Sequence, residues 1–157
     1  MRILNIGSGG KPIFGAVNLD IEDAEPHTIH PTIKPDIVHD GHVLPFENNE
    51  FDIVCYFHSL EHMCNPFKTL KEANRVLLYG GMVFIEIPDP FKVNAERDEH
   101  LYSWTHNTMR NILRETGFTM IETEFDGIMM WNPIKEEYEK PVLNKLNARY
   151  VGVKKDD

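Results

Sequence analysis

"CYFHSLEHM", Cys55 to Met63, can be read in two ways, and the fold follows from the choice between them. As a spacing, His58, Glu61 and His62 spell H-x-x-E-H, the inverted zinc-protease pattern in which two histidines hold a metal and the glutamate acts as base. As a neighbourhood, the stretch begins inside "FDIVCYF", Phe51 to Phe57, a short apolar run closing in aromatics that reads as a buried strand. A metal pair at this spacing must project from one face of an established helix. His58 stands instead where a strand has just ended.

The flanking sequence extends the strand reading. "RILNI" (Arg2 to Ile6), "AVNLDI" (Ala16 to Ile21), "DIVHD" (Asp36 to Asp40), "FDIVCYF" and "MVFIEI" (Met82 to Ile87) are five apolar or β-branched runs separated by turn residues. Between the last two, Asn65 as cap and Pro66 at the first helical position open a helix. Its face reads Phe67, Leu70, Ala73 and Leu77, and Gly80 and Gly81 are its expected stop. A second helix is expected from Thr105 through Met109, Ile112 and Leu113 to Gly117. "TMIETEF" (Thr119 to Phe125) and "ARYVGVK" (Ala148 to Lys154) then read as an antiparallel, hairpin-like edge. Strands alternating with helices indicate an α/β fold with a mainly parallel sheet.

Composition narrows the classes. At 157 residues the chain fits one domain, 1–157, able to form a core without disulfides. Two cysteines, Cys55 and Cys64, with no C-x-x-C and no leader pattern at Met1, read as a reduced, cytoplasmic protein. No apolar run approaches the roughly 18 residues needed to span a bilayer. Sixteen basic against 25 acidic residues give a net charge of -9, which argues against nucleic-acid binding through phosphates.

"NIGSGG", Asn5 to Gly10, carries the most chemistry. It follows a strand, and Gly7 and Gly9 allow a sharp turn and close backbone approach to a ligand. Asp20 ends the next strand, where a carboxylate can accept both hydroxyls of a ribose. A dinucleotide G-x-G-x-x-G requires glycine at position 12, and a phosphate loop requires Ser or Thr after the lysine of "GK"; Pro12 stands at both places. What remains is a glycine turn suited to a nucleoside that lacks a pyrophosphate.

In this company the chain resembles the class I S-adenosylmethionine-dependent methyltransferases, in particular the small type 11 methyltransferase domains. "ILNIGSGG" is similar to their first motif, "VNLDI" to the second strand with its ribose-binding acid, and "DGHVLPFENNEFDIV" to their D-x-x-x-L-P-F segment and fourth strand. "HSLEHM" is similar to the stretch after that strand, "RVLLYGGMVFIEIPDP" to the R-V-L-K-P-G-G turn and fifth strand, and "HLYSWTHNTMRNILRETGF" to the late W-T…G-F helix. The resemblance implies a Rossmann-like, doubly wound, seven-stranded sheet and S-adenosyl-L-methionine as cofactor, leaving S-adenosyl-L-homocysteine. It implies cofactor contacts from Gly7, Ser8, Gly9, Asp20 and Ile21, from Asp40, Gly41 and His42 around the adenine, and from Phe57 and His58 at the methionine end. His58 is the candidate catalytic base, with His100 and Asp89 as weaker ones. Glu61 and His62 then begin a short helix and no metal is expected, since no separate helix offers a suitable third ligand.

The expected activity is methyl transfer to a small-molecule or glycan acceptor. A cofactor-binding but inactive partner protein is the alternative, and a zinc hydrolase built on H-x-x-E-H the remote one. The departures are specific. Asn5 stands where many relatives carry an acid, and Leu78-Tyr79 replace Lys-Pro before the glycines. Gly7 to Gly15 is too short for a crossover helix, so that helix is expected to be vestigial or absent. The strand face it leaves, with Ile3, Val17 and Leu19, then needs another cover. Ile13 and Phe14, the Met129, Met130, Trp131 cluster and a second copy forming a homodimer are the candidates.

Overall fold

The computed structural model describes residues 1–9, 12–21, 34–91, 100–121, 130–132, 137–139 and 147–155, the segments 130–132 and 137–139 by their backbone alone. Among these described residues nine strands and two α-helices follow in the order β1 (Ile3–Ile6), β2 (Val17–Asp20), β3 (Ile37–Val38), β4 (Phe51–Phe57), α1 (Pro66–Val76), β5 (Leu77–Pro88), α2 (His106–Glu115), β6 (Phe118–Ile121), β7 (Met130–Asn132), β8 (Glu137–Glu139) and β9 (Asn147–Lys154), with a 3₁₀ turn at Leu60–His62. Seven strands form one sheet in the order β3-β2-β1-β4-β5-β9-β6, and β7 and β8 form a separate two-stranded pair. β1 to β5 pair in parallel, while β9 runs antiparallel to both β5 and β6. The chain lays β2 and β3 on one side of β1 and then places β4 on the other. That reversal opens a crevice at the carboxyl ends of β1 and β4.

Strand alternation divides the core. Phe51, Val54 and Tyr56 of β4 point to the face that packs against Leu70, Ala73 and Val76 of α1 and Met109 and Leu113 of α2. Ile53, Cys55 and Phe57 point to the opposite face with Ile3, Phe84 and Val151. That second face is where the first crossover helix was expected to be missing, and the described residues between β1 and β2 contain no helix. Of the three residues expected to be left there only Ile3 is on this face; Leu19 and Val17 pack with the first cluster instead. Ile13 from this connection is buried in its place, among Ile53, Cys55 and Phe57. Its neighbour Phe14 is exposed. Asn18 holds the short connection down: its side-chain oxygen accepts from Ile13 N at 2.8 Å, and its amide donates to Ile13 O and Ala16 O, each at 3.2 Å. Ile13 N, Ile13 O and Ala16 O thereby find partners without helical hydrogen bonds. Met129 lies outside the described residues, as does 122–125 of the expected edge strand.

Both helices begin where their caps stand. The Asn65 side chain accepts from Lys68 N at 2.9 Å, with Pro66 in the first turn. Thr105 and Thr108 exchange backbone and side-chain hydrogen bonds as a capping box. The end of α1 differs from expectation. The helix stops at Val76, and Gly80 and Gly81 lie inside β5, where Phe51 pairs with Leu77 but Ile53 pairs with Met82. The glycines therefore serve an irregularity in the strand rather than the helix end: Gly80 is left-handed, and a Cβ at Gly81 would meet Leu78 O at 2.8 Å. The expected core stripe also shifts. Phe67 is exposed, and Pro66, Thr69, Leu70, Ala73 and Val76 are buried, because the helix turns its 66/69/73 row inward.

Candidate active site

The glycine turn and the strand-two acid are joined. Gly7 N and Ser8 N both donate to Leu19 O, at 2.9 and 3.1 Å, which brings the turn back over β2. Asp20, the last residue of β2, accepts from Gly9 N through one carboxylate oxygen and from Ile21 N at 2.7 Å through the other. Each oxygen keeps a second lone pair for a ligand hydroxyl. Gly7 and Gly9 both have left-handed backbones, but for different reasons. A Cβ on Gly7 would lie 2.3 Å from Ser59 Cβ, so its bareness serves packing against the tip of β4, where Ser59 Oγ donates to Ile6 O at 2.8 Å. A Cβ on Gly9 would meet only Asp20 Oδ2, at 3.9 Å, leaving room in front of the carboxylate. Ser8 is buried and Ile21 exposed.

Asp40, Gly41 and His42 form a second group at the end of β3. Asp40 is exposed and accepts from His42 N at 2.9 Å; that hydrogen bond is the main reason its carboxyl sits below the ordinary value. Gly41 is left-handed, and its carbonyl accepts from Thr69 Oγ1 at 2.9 Å. Thr69 in turn contacts Tyr56 Oη at 2.9 Å, so α1 ties this loop to β4. His42 Nε2 accepts from Asn65 N at 3.2 Å and holds the loop to the helix cap.

His58 stands apart from both groups, in a polar cluster absent from the sequence reading. Its backbone is left-handed, with φ of 53°, one of two non-glycine residues so disposed among those described. Its Nε2 lies 2.8 Å from Asn147 Nδ2 and 3.3 Å from Glu86 Oε1, and its Nδ1 lies 3.5 Å from Glu61 Oε1. Asn147 also donates to Glu86 Oε1 at 3.0 Å, and Arg149 Nε donates to Glu86 Oε2. Burial alone would raise the Glu86 pKa; the hydrogen bonds from His58 and Arg149 outweigh it and leave the carboxyl below its ordinary value. Glu86 carried a local signal, an acid inside the apolar run "MVFIEI". Asn147 and Arg149 carried none, since only the antiparallel β5–β9 pairing brings them to β5. Phe57, expected at the cofactor's methionine end, has its side chain buried in the core. His58 and His62 do not form a helical pair, because His58 precedes the 3₁₀ turn with a non-helical backbone.

Beside this cluster a cleft of 290 Å³ opens between the end of β5, the approach to α2 and the start of β9, lined among others by Asp89, Trp104, His106, Asn147, Arg149 and Tyr150. The Trp104 indole nitrogen is buried with no hydrogen-bond partner among the described residues. Tyr150 is pushed up in pKa by burial and then by the Asp89 carboxylate. Asp89 therefore borders this cleft, whereas His100 lies with Glu61 and His62.

Comparison with known proteins bears on the fold. Residues 16–85 match the family model described as a methyltransferase domain. The chain is 33% identical over 97 residues to an uncharacterised protein of Methanocaldococcus jannaschii, a match covering 58% of this chain and 38% of that protein. It is 25% identical over 170 residues to a sterol 4-C-methyltransferase of Caenorhabditis elegans, covering 94% of this chain and 46% of that enzyme. The chain thus spans less than half the length of these curated relatives. A solved S-adenosylmethionine-dependent methyltransferase of Methanosarcina mazei superposes with a TM-score of 0.63 at 14% identity, over 99% of this chain and 93% of that one. Residues 16–85 are thus similar to a methyltransferase domain, and the seven-stranded sheet has the Rossmann-like fold of the solved methyltransferases. No helix among the described residues is long and apolar enough to cross a membrane.

Proposed function

We propose that this chain, as one domain over 1–157, is an S-adenosylmethionine-dependent methyltransferase for a small amphipathic acceptor bound in the cleft beside His58. The observation that carries the reading is the joined glycine turn and Asp20 at the ends of β1 and β2, the same carboxyl-end edge of the sheet at which the cleft opens beyond β5. The turn fits the cofactor: Gly9 leaves room before a carboxylate with free lone pairs, and no phosphate grip is built. Gly7, Ser8 and Gly9 would hold the amino-acid end, Asp20 and Ile21 the ribose, Asp40, Gly41 and His42 the adenine, and the backbone at Phe57 with His58 the reactive end. When bound, the cofactor supplies a methyl group already activated by the sulfonium charge.

The protein's share is positioning and proton handling. Trp104 and Tyr150 offer flat apolar surface, His106 a planar polar ring, Asp89 and Arg149 offer charge, and the Trp104 N–H has no acceptor among the described residues. A small aromatic or heterocyclic molecule bearing a hydroxyl or amine suits that lining better than a glycan. To take the acceptor's proton, His58 must exchange its Asn147 contact for the acceptor, since Nδ1 faces Glu61. We place the reaction in a reducing cytoplasm, consistent with the free thiols Cys55 and Cys64.

Thermal shift and calorimetry with S-adenosyl-L-homocysteine test the binding half of this reading. Ligand at 100 times its dissociation constant should stabilise by about 2.7 kcal/mol. A screen of small aromatic alcohols and amines with methyl-labelled cofactor tests the transfer half. Binding without transfer to any acceptor would favour an inactive partner protein, and failure to bind would sink the proposal.

A further inference from the structure

We infer that Glu61, His62 and His100 form a binding site for one zinc-class divalent cation, next to the candidate active site and distinct from the H-x-x-E-H arrangement. One ligand atom from each residue lies within 4.8 Å of the other two. The 3₁₀ turn Leu60–His62 sends Glu61 inward, where it is 1% exposed, and His62 outward. His100 is brought in from a different part of the chain and fastened there: Leu101 N and Tyr102 N donate to Glu61 O at 2.9 and 3.3 Å, and Tyr102 Oη donates to Cys64 O at 3.1 Å. The two imidazoles meet edge to face with centroids 4.9 Å apart.

The independent sign of a ligand is Glu61 itself. Among the described residues neither of its carboxylate oxygens has a hydrogen-bond partner, although the side chain is buried. A buried, incompletely solvated carboxylate is costly, and the His58 Nδ1 at 3.5 Å from Oε1 is a long contact for one oxygen only. A cation at Oε2 would complete the site while Oε1 still faces His58. Two imidazoles and one carboxylate are a donor set for Zn²⁺, Co²⁺ or Fe²⁺ rather than for Ca²⁺ or Mg²⁺. Metal–ligand bonds of about 2.1 Å place donors about 3.4 Å apart, so occupation requires the donors to close by about 1 Å or more. The exposed His62 ring can supply that movement. Three protein ligands leave a fourth position for water or an acceptor oxygen. The site joins two segments flanking the candidate active site, so its metal would fix their mutual distance. The inference does not depend on methyl transfer.

Chelator-stripped protein titrated with Zn²⁺ by calorimetry, and with Co²⁺ by visible absorption, provides the test. The expected result is one saturable equivalent, cobalt d–d bands with histidine ligation, and a zinc-dependent rise in melting temperature. His62→Ala and His100→Ala should each weaken binding by roughly tenfold or more, and the pair should abolish it, with His106→Ala unchanged. Both histidines are at least partly exposed, so these variants keep the test valid should Glu61→Gln fail to fold. Absence of saturable uptake at millimolar metal, or uptake undiminished in the double variant, overturns the site.

Discussion

Gly7 and His58 are both left-handed, yet the two residues answer to different pressures. At Gly7 the constraint is steric, with a Cβ placed 2.3 Å from that of Ser59. Gly7→Ala should therefore destabilise by about 3 kcal/mol or more, since a left-handed alanine costs about 1 to 2 kcal/mol and the clash adds to it. Adding Ser59→Gly should recover the clash part alone, which a denaturant titration of the single and double variants would resolve. His58 carries its backbone cost without a glycine's excuse, held by Glu86 O, which accepts from His58 N at 2.8 Å, and by Asn147 and Glu61 around its ring. Strain maintained by surrounding contacts is what the role proposed for His58 would require. Asp20→Ala should weaken S-adenosyl-L-homocysteine binding by about 1 to 3 kcal/mol while leaving the melting temperature of the free protein within a few degrees. Equal affinity in calorimetry would reduce Asp20 to an anchor for Gly9.

Among the elements, the β1–β2 connection departs most from its fold class. A parallel crossover without a helix must satisfy its own backbone and cover the sheet, and Asn18 and Ile13 divide those two duties. Asn18→Ala leaves buried loop groups unpaired and should cost about 2 to 3 kcal/mol. Ile13→Ala removes the cover and should cost about 2 to 5 kcal/mol with a cavity beneath. Chemical denaturation measures both, and near-neutral values would mean that the loop is held by something other than these two residues. The element boundaries were legible where a cap announced them: Asn65 and Thr105 start α1 and α2 where expected. The end of α1 was not. Gly80 and Gly81 read as a helix stop, but pairing of Leu77 with Phe51 draws the chain into β5 first.

For the molecule as a whole, acid should be the weak side. Glu86 sits below the ordinary carboxyl value because His58 and Arg149 outweigh its burial, and Glu72 does so through Arg75, against burial and with help from Leu44 N. A carboxyl lowered in the folded state contributes stability above its unfolded pKa and loses it as pH falls through the folded one. The melting temperature should thus be flat from neutrality to about pH 5 and fall below about pH 4. Glu86→Gln should start lower and fall less steeply; an unchanged slope would remove Glu86 from the acid response. Association follows from the sheet's cover. A second copy was one candidate for the face left by the missing helix, and Ile13 already occupies part of it. Light scattering is therefore expected to give 18.2 kDa at all dilutions. A doubled mass would instead point to the exposed Phe14 as part of an interface.

The sequence by itself determined the order of strands and helices, the caps, the glycine turn and the acid facing it, because each depends on residues a few positions apart and on backbone freedom that glycine, proline and asparagine alter locally. Only the tertiary structure decided what surrounds His58, where Ile13 goes, and that His100 meets Glu61. Those contacts are made by the strand order β4-β5-β9 and by a loop folded back onto a 3₁₀ turn. The physical reason is that a side chain's partners across a sheet are set by which strands pair and in what register, and no local pattern encodes the position of a residue on a strand far along the chain.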